Sequence, residues 1–134
     1  MISMAKILVI DDESTIVMVL EEILQDAGYE VFTASNGLHG LNSLRKGLRP
    51  DLLIIDLLMP VMGGREFLSF VHKDFKLSAM RVILLTGSIP NEKEFPPEKF
   101  YQDIICKPFN IDDVVTSVGR LLGDPGNKCS GSLS

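Results

Sequence analysis

The chain has 134 residues, 46% hydrophobic and 23% charged, which fits one globular domain with a core of its own. Its formal net charge is −5, from 18 acidic and 13 basic residues, which argues against direct binding to nucleic acid and suits a divalent cation or a basic partner patch. Cys106 and Cys129 have neither zinc-ligand spacing nor disulfide-scaffold density, no apolar run approaches the roughly 20 residues of a membrane span, and no secretory signal opens the chain, so a reducing, cytoplasmic setting without membrane contact is expected.

After a frayed start at residues 1–4, Lys6–Ile10 is a nearly continuous apolar run, read as a strand buried on both faces. It ends in Asp11-Asp12-Glu13. Ser14 is placed to cap a helix in which Ile16, Leu20, Ile23, Leu24 and Ala27 recur at helical spacing, and Gly28 ends it. Residues 29–34 form a second strand, less purely apolar and so nearer an edge. Asn36-Gly37 opens a second helix with Leu38, Leu41, Leu44 and Leu48 on one face, closed by Arg49-Pro50. Leu52 to Ile55 lie between Asp51 and Asp56 as a third buried strand, and Pro60 stops its continuation. Gly63-Gly64 leads to a short helix burying Phe67, Leu68 and Val71. Arg81–Thr86 is the fourth strand. Pro90, Pro96 and Pro97 allow only a short or distorted helix between Ser88 and Lys99. Asp103–Cys106 is the fifth strand, followed by Lys107-Pro108-Phe109. Asn110 caps the last helix, whose first turn carries Asp112 and Asp113. Its apolar stripe is Ile111, Val114, Val115, Val118, Leu121 and Leu122, and Gly123 ends it. Residues 124–134 read as a flexible Gly/Ser-rich tail.

Strand and helix alternate five times, which predicts an α/β fold with a five-stranded parallel sheet covered on both faces. Asp11 and Asp12 end the first strand, Asp56 the third, Thr86 the fourth and Lys107 the fifth. With strand order 2-1-3-4-5, these groups meet at the carboxyl edge, around the topological switch point. Singly, each has a bland explanation: a turn-capping carboxylate, a strand threonine, a solvated lysine. Together they predict a site. Converging carboxylates stay ionised beside a cation, and oxygen-only ligands select a hard one such as Mg2+. No histidine falls at a strand end, which argues against zinc. Magnesium, a carboxylate nucleophile and a lysine suit phosphoryl transfer, with Asp56 attacking phosphorus and Lys107 and Thr86 on the phosphoryl oxygens.

Asp11-Asp12, Asp56 with Met59-Pro60, Thr86 and Lys107-Pro108-Phe109 together resemble, in order and spacing, the receiver domain of two-component response regulators. The resemblance covers nearly the whole chain, from Lys6 to Leu122. It implies a flavodoxin-like doubly wound (βα)5 domain over residues 5–123. It implies phosphorylation of Asp56 by a histidine kinase or histidine phosphotransfer protein. It also implies Mg2+ held by Asp11, Asp12, Asp56 and the backbone carbonyl of Leu58, with Thr86 and Lys107 binding the phosphoryl group. The expected partners are that phosphodonor and a downstream protein or covalently linked output or kinase domain, with the chain itself a monomer or weak dimer and not a turnover enzyme.

Some positions depart from the family pattern. Ile104 stands where the family often has an aromatic that rotates inward, and an aliphatic side chain cannot make that rearrangement. Gly87 replaces a small residue such as alanine, which predicts a looser loop, and Gly63 replaces an aspartate. Phe95, Phe100 and Tyr101 are read as core residues, with an exposed partner surface as the alternative. Ile104 and the prolines motivate a second reading, a receiver-fold scaffold insensitive to phosphorylation. A haloacid-dehalogenase-type phosphatase would want an aspartate two residues after the nucleophile, where this chain has Leu58.

Overall fold

Residues alternating along each apolar run point to opposite faces of one parallel sheet, and two separate cores result. The strands are β1 (Lys6–Ile10), β2 (Glu30–Ala34), β3 (Leu52–Asp56), β4 (Arg81–Thr86) and β5 (Asp103–Cys106). They pair in the order β2-β1-β3-β4-β5, all parallel, with β2 at an edge as its mixed composition predicted. The helices are α1 (Ser14–Asp26), α2 (Gly37–Arg45), α3 (Gly64–Asp74) and α4 (Ile111–Leu122). The computed structural model describes residues 4–75, 80–87 and 95–123. Residues 88–94 of the proline-rich segment and the tail at 124–134 lie outside these.

One core joins Leu8, Ile10, Leu53, Ile55, Val82 and Leu84 to Leu41 and Leu44 of α2 and to Phe67, Leu68 and Val71 of α3. The other joins Ile7, Val9, Leu52, Ile54, Ile83 and Leu85 to Leu20 and Leu24 of α1 and to Val114 and Val118 of α4. β3 is buried along its whole length, including Asp56. Phe100, in a single 3-10 turn (Glu98–Phe100), is buried, and Phe95 and Tyr101 pack against the same core, so these aromatics are core residues. Among the described residues no helix is long and apolar enough to cross a membrane.

Several local expectations shift. α2 ends at Arg45 rather than at Arg49-Pro50. Gly47, at φ 113, turns the chain there, and the N–H groups of Gly47 and Leu48 donate to the carbonyls of Leu44 and Ser43. Leu38 and Ile111 are exposed rather than core-facing. Both stand in the first turns of their helices. Ser14 lies inside α1, and Glu13 takes the N-cap position without capping through its side chain. Asn110 is the N-cap of α4, but its side chain makes no capping bond.

The loop after β3 holds a strained residue. The Met62 N–H donates to the Pro60 carbonyl at 2.8 Å, closing a three-residue turn with Val61 at φ 71. A β-branched residue there is a true outlier, costing on the order of 1–3 kcal/mol. Val61 is mostly exposed, so its side chain contributes little burial in return. Val61→Gly is expected to stabilise the fold by about 1 kcal/mol, after subtracting glycine's extra freedom in the unfolded chain. Urea unfolding checks this, and an unchanged or lower midpoint would show that the turn is not strained.

Candidate functional site

The sheet register assembles the site. Ile10 pairs with Ile55, so Asp11 and Asp56 are the next residues on adjacent strands. Asp56 pairs with Leu85, which puts Thr86 one step beyond it, and Thr86 pairs with Cys106, which puts Lys107 one step beyond that. The backbone holds these ends in place. The Leu57 N–H donates to the Leu85 carbonyl at 2.8 Å, and the Lys107 N–H donates to the Thr86 carbonyl at 2.7 Å. Gly64 opens α3 directly under Asp56, and a Cβ there would meet the Asp56 carbonyl oxygen at 2.9 Å and the Leu57 Cα at 3.1 Å. Only glycine allows this approach without shifting the strand end.

The Lys107 stem crosses β4, and its ammonium lands among three carboxylates. Nζ lies 2.8 Å from Glu13 Oε1, 2.9 Å from Asp11 Oδ2 and 3.2 Å from Asp56 Oδ2. Asp11 and Asp56 are buried, as is Thr86, while Asp12 and Glu13 are exposed. The site is therefore a dry floor with a wet rim. Asp11 Oδ1 accepts the Glu13 backbone N–H at 2.9 Å. Asp11 Oδ2 is fully buried and has no hydrogen bond of good geometry. Its 2.9 Å contact with Lys107 is thus an ion pair that leaves a lone pair unused.

Burial pushes the Asp56 carboxyl from its ordinary 3.8 up to about 6, and the Asp11 charge adds to the rise. Lys107 and the Leu58 backbone N–H, which hydrogen-bonds the carboxylate, pull the other way. Burial alone would lower the Lys107 ammonium. The hydrogen bond to Glu13 and the close negative charges of Asp11 and Asp56 outweigh burial and hold it above the usual lysine range.

Carboxylate oxygens of Asp11, Asp12 and Asp56 lie within 4.8 Å of one another, close enough to hold one ion. The donor set is all oxygen, and buried Asp11 Oδ2 has no hydrogen-bond partner of its own, so these residues fit a hard divalent cation. Neither histidine approaches. His39 in α2 bonds to Ser35, and His72 in α3 stacks on Phe100 with ring centroids 4.4 Å apart.

All five side chains singled out in the sequence thus converge. Leu58 adds a backbone N–H. Glu13 is the partner that sequence reasoning missed. The run Asp11-Asp12-Glu13 was the available signal, but nothing local shows that its third carboxylate reaches a lysine 94 positions away. At Gly87 a Cβ would only touch the Lys107 stem at 3.8 Å, so an alanine fits there as well.

Residues 7–119 match the family model of the response regulator receiver domain. Sporulation initiation phosphotransferase F of Bacillus subtilis is 35% identical over 124 residues, covering 87% of this chain and 93% of that protein. The chemotaxis protein CheY4 of Vibrio cholerae superposes with a TM-score of 0.80 at 35% identity, over 90% of this chain and 100% of that one. The response regulator TrrA of Thermotoga maritima, solved with Mg2+ and beryllofluoride, gives a TM-score of 0.76 at 35% identity, over 89% and 100%. Other relatives are longer: the chain spans 15% of one and 49% of another.

Proposed function

Because this chain belongs to the response regulator receiver domain family, we propose that it accepts a phosphoryl group on Asp56 and uses it to switch a partner-binding surface. The observation that carries this is the convergence of buried Asp56 and Asp11 on the Lys107 ammonium, beside buried Thr86, at the carboxyl ends of β1, β3, β4 and β5. An Asp56 carboxylate oxygen attacks phosphorus in line. The bond from phosphorus to the donor's histidine nitrogen breaks, that nitrogen keeps the electron pair, and an acyl phosphate forms. A carboxyl that titrates near 6 is mostly ionised at neutral pH and is therefore available as the nucleophile. Lys107 turns from the carboxylates to the phosphoryl oxygens, and Thr86 donates its hydroxyl to one of them. Asp11, Asp12, Asp56 and the Leu58 carbonyl would hold Mg2+, which supplies neutralisation of charge on the transferring group.

The donor in this reading is a histidine kinase or histidine phosphotransfer protein of the cytoplasm. The acceptor is the receiver spanning residues 5–123. Receivers are signalling modules rather than turnover enzymes, and the phosphoryl group acts here by biasing a two-state surface. Ile104 favours a second reading for that last step. It is 38% exposed on β5 and has no ring to turn inward, which is what a scaffold insensitive to phosphorylation would show.

Incubation with phosphoramidate and Mg2+ is expected to add one phosphoryl group by intact mass, and Asp56→Ala is expected to take up none. Labelling that survives Asp56→Ala would overturn the assignment. Methyl spectra recorded with and without beryllofluoride separate the two readings. Shifts spreading to Ile104 support the switch, and shifts confined to the site support the scaffold.

A further inference from the structure

The Lys107 ammonium is hydrogen-bonded to Glu13 and Asp56 and ion-paired with Asp11. A phosphoryl oxygen on Asp56 must compete with these three carboxylates for it. The contacts are not equally easy to release. Asp11 and Asp56 are anchored on buried strand ends, with side chains 0% and 6% exposed, whereas the Glu13 side chain is 55% exposed and can swing into water. Yet Glu13 makes the shortest of the three contacts, at 2.8 Å, and it is a hydrogen bond. Its backbone is fixed by the bond from its N–H to Asp11 Oδ1, so the carboxylate is delivered to the same point each time. That placement also explains why Glu13, at the N-cap of α1, does not cap the helix with its side chain.

We propose that Glu13 is a latch on Lys107. It holds the ammonium in the resting arrangement and competes for it with a phosphoryl group on Asp56. The inference rests on the phosphoryl-acceptor reading above. A phosphoryl group brings nearly two negative charges to the place Glu13 faces, so the carboxylate is repelled as its cation is withdrawn. The latch therefore stabilises the resting state relative to the phosphorylated one. Glu13 is a positioning residue that acts through Lys107.

The test is the affinity for beryllofluoride at saturating Mg2+, measured by calorimetry, which needs no turnover. Glu13→Gln keeps the side chain's size and removes its charge, and should bind beryllofluoride about fivefold more tightly than the wild type. Glu66→Gln, in the first turn of α3 on the neighbouring loop, makes the same change in net charge without a contact to Lys107 and should stay within about twofold. Combining Glu13→Gln with Lys107→Met should erase the gain relative to Lys107→Met alone. An unchanged affinity in Glu13→Gln overturns the latch while leaving the receiver reading intact. An equal gain in Glu66→Gln, or a gain that persists without Lys107, reduces Glu13 to general electrostatics and also overturns it. A wild-type protein that takes up no beryllofluoride overturns both readings.

Discussion

Asp56→Asn is expected to make the metal-free protein more stable by about 2 kcal/mol at pH 7.5 while abolishing phosphoryl uptake. The folded chain keeps the Asp56 proton up to about pH 6, because burial and the Asp11 charge disfavour the carboxylate, whereas the unfolded chain loses it near 3.8. Between those values the folded state binds more protons than the unfolded state, so stability falls as pH rises through the interval and stays low above it. The full interval corresponds to about 3 kcal/mol at 1.36 kcal/mol per pH unit. Asparagine removes the charge but also weakens the Lys107 contact, which brings the net gain down. The difference between variant and wild type should therefore be small near pH 4, grow through pH 5 and level off above about pH 6.5. Urea unfolding at a series of pH values in a chelating buffer measures it. A gain that is flat across the series would mean that Asp56 is not the titrating group. Added Mg2+ should narrow the gap from the other side, since an ion bound to the folded state alone stabilises only the protein that retains the carboxylate.

The same balance accounts for what the sequence made legible. β4 and β5 have the bounds read from the sequence because each is a short apolar run flanked by charged or breaking residues, and burial on both faces leaves no competing pattern. The ends of those runs placed Thr86 and Lys107, as the end of β3 placed Asp56, since in a parallel sheet every strand delivers its carboxyl end to one edge. What local sequence could not show was the competition among partners once that edge is assembled. Gly47 ends α2 before Pro50 can, because a left-handed glycine satisfies two orphan carbonyls at once. Leu38 and Ile111 satisfy the helical periodicity of their segments, yet they stand in first turns and remain exposed. Glu13 carries no local signal of a partner, and its contact emerges only when Lys107 arrives from the far end of the chain. The general lesson concerns the lysine more than the acids. Three carboxylates implied a cation, and the chain itself brings one to them, the Lys107 ammonium.

If Lys107 fills that role, Lys107→Met should be the most destabilising single change at the site. We expect a loss of about 3 kcal/mol for the metal-free protein at pH 8, because Asp11 and Asp56 are then left facing each other on a buried floor with no positive partner. Methionine preserves the apolar stem that crosses β4, so lost packing contributes little. Two conditions should rescue the variant, each for a different reason. At pH 5 much of Asp56 is protonated, which removes the repulsion, and the loss should shrink to about 1 kcal/mol. At pH 8, Mg2+ in excess of its dissociation constant should recover most of the stability by taking the place of the ammonium between the carboxylates. In the Asp56→Asn background the penalty of Lys107→Met should also fall to about 1 kcal/mol, a non-additivity expected only of groups in direct contact. Unfolding midpoints at pH 5 and pH 8, with and without Mg2+, test all three. If Lys107→Met is as stable as the wild type at pH 8 without metal, the ammonium does not sit among the carboxylates in solution. If the penalty appears but neither acid nor Mg2+ relieves it, the lysine acts through packing. The charge balance proposed here for the resting site would then be wrong, even though the receiver fold would stand.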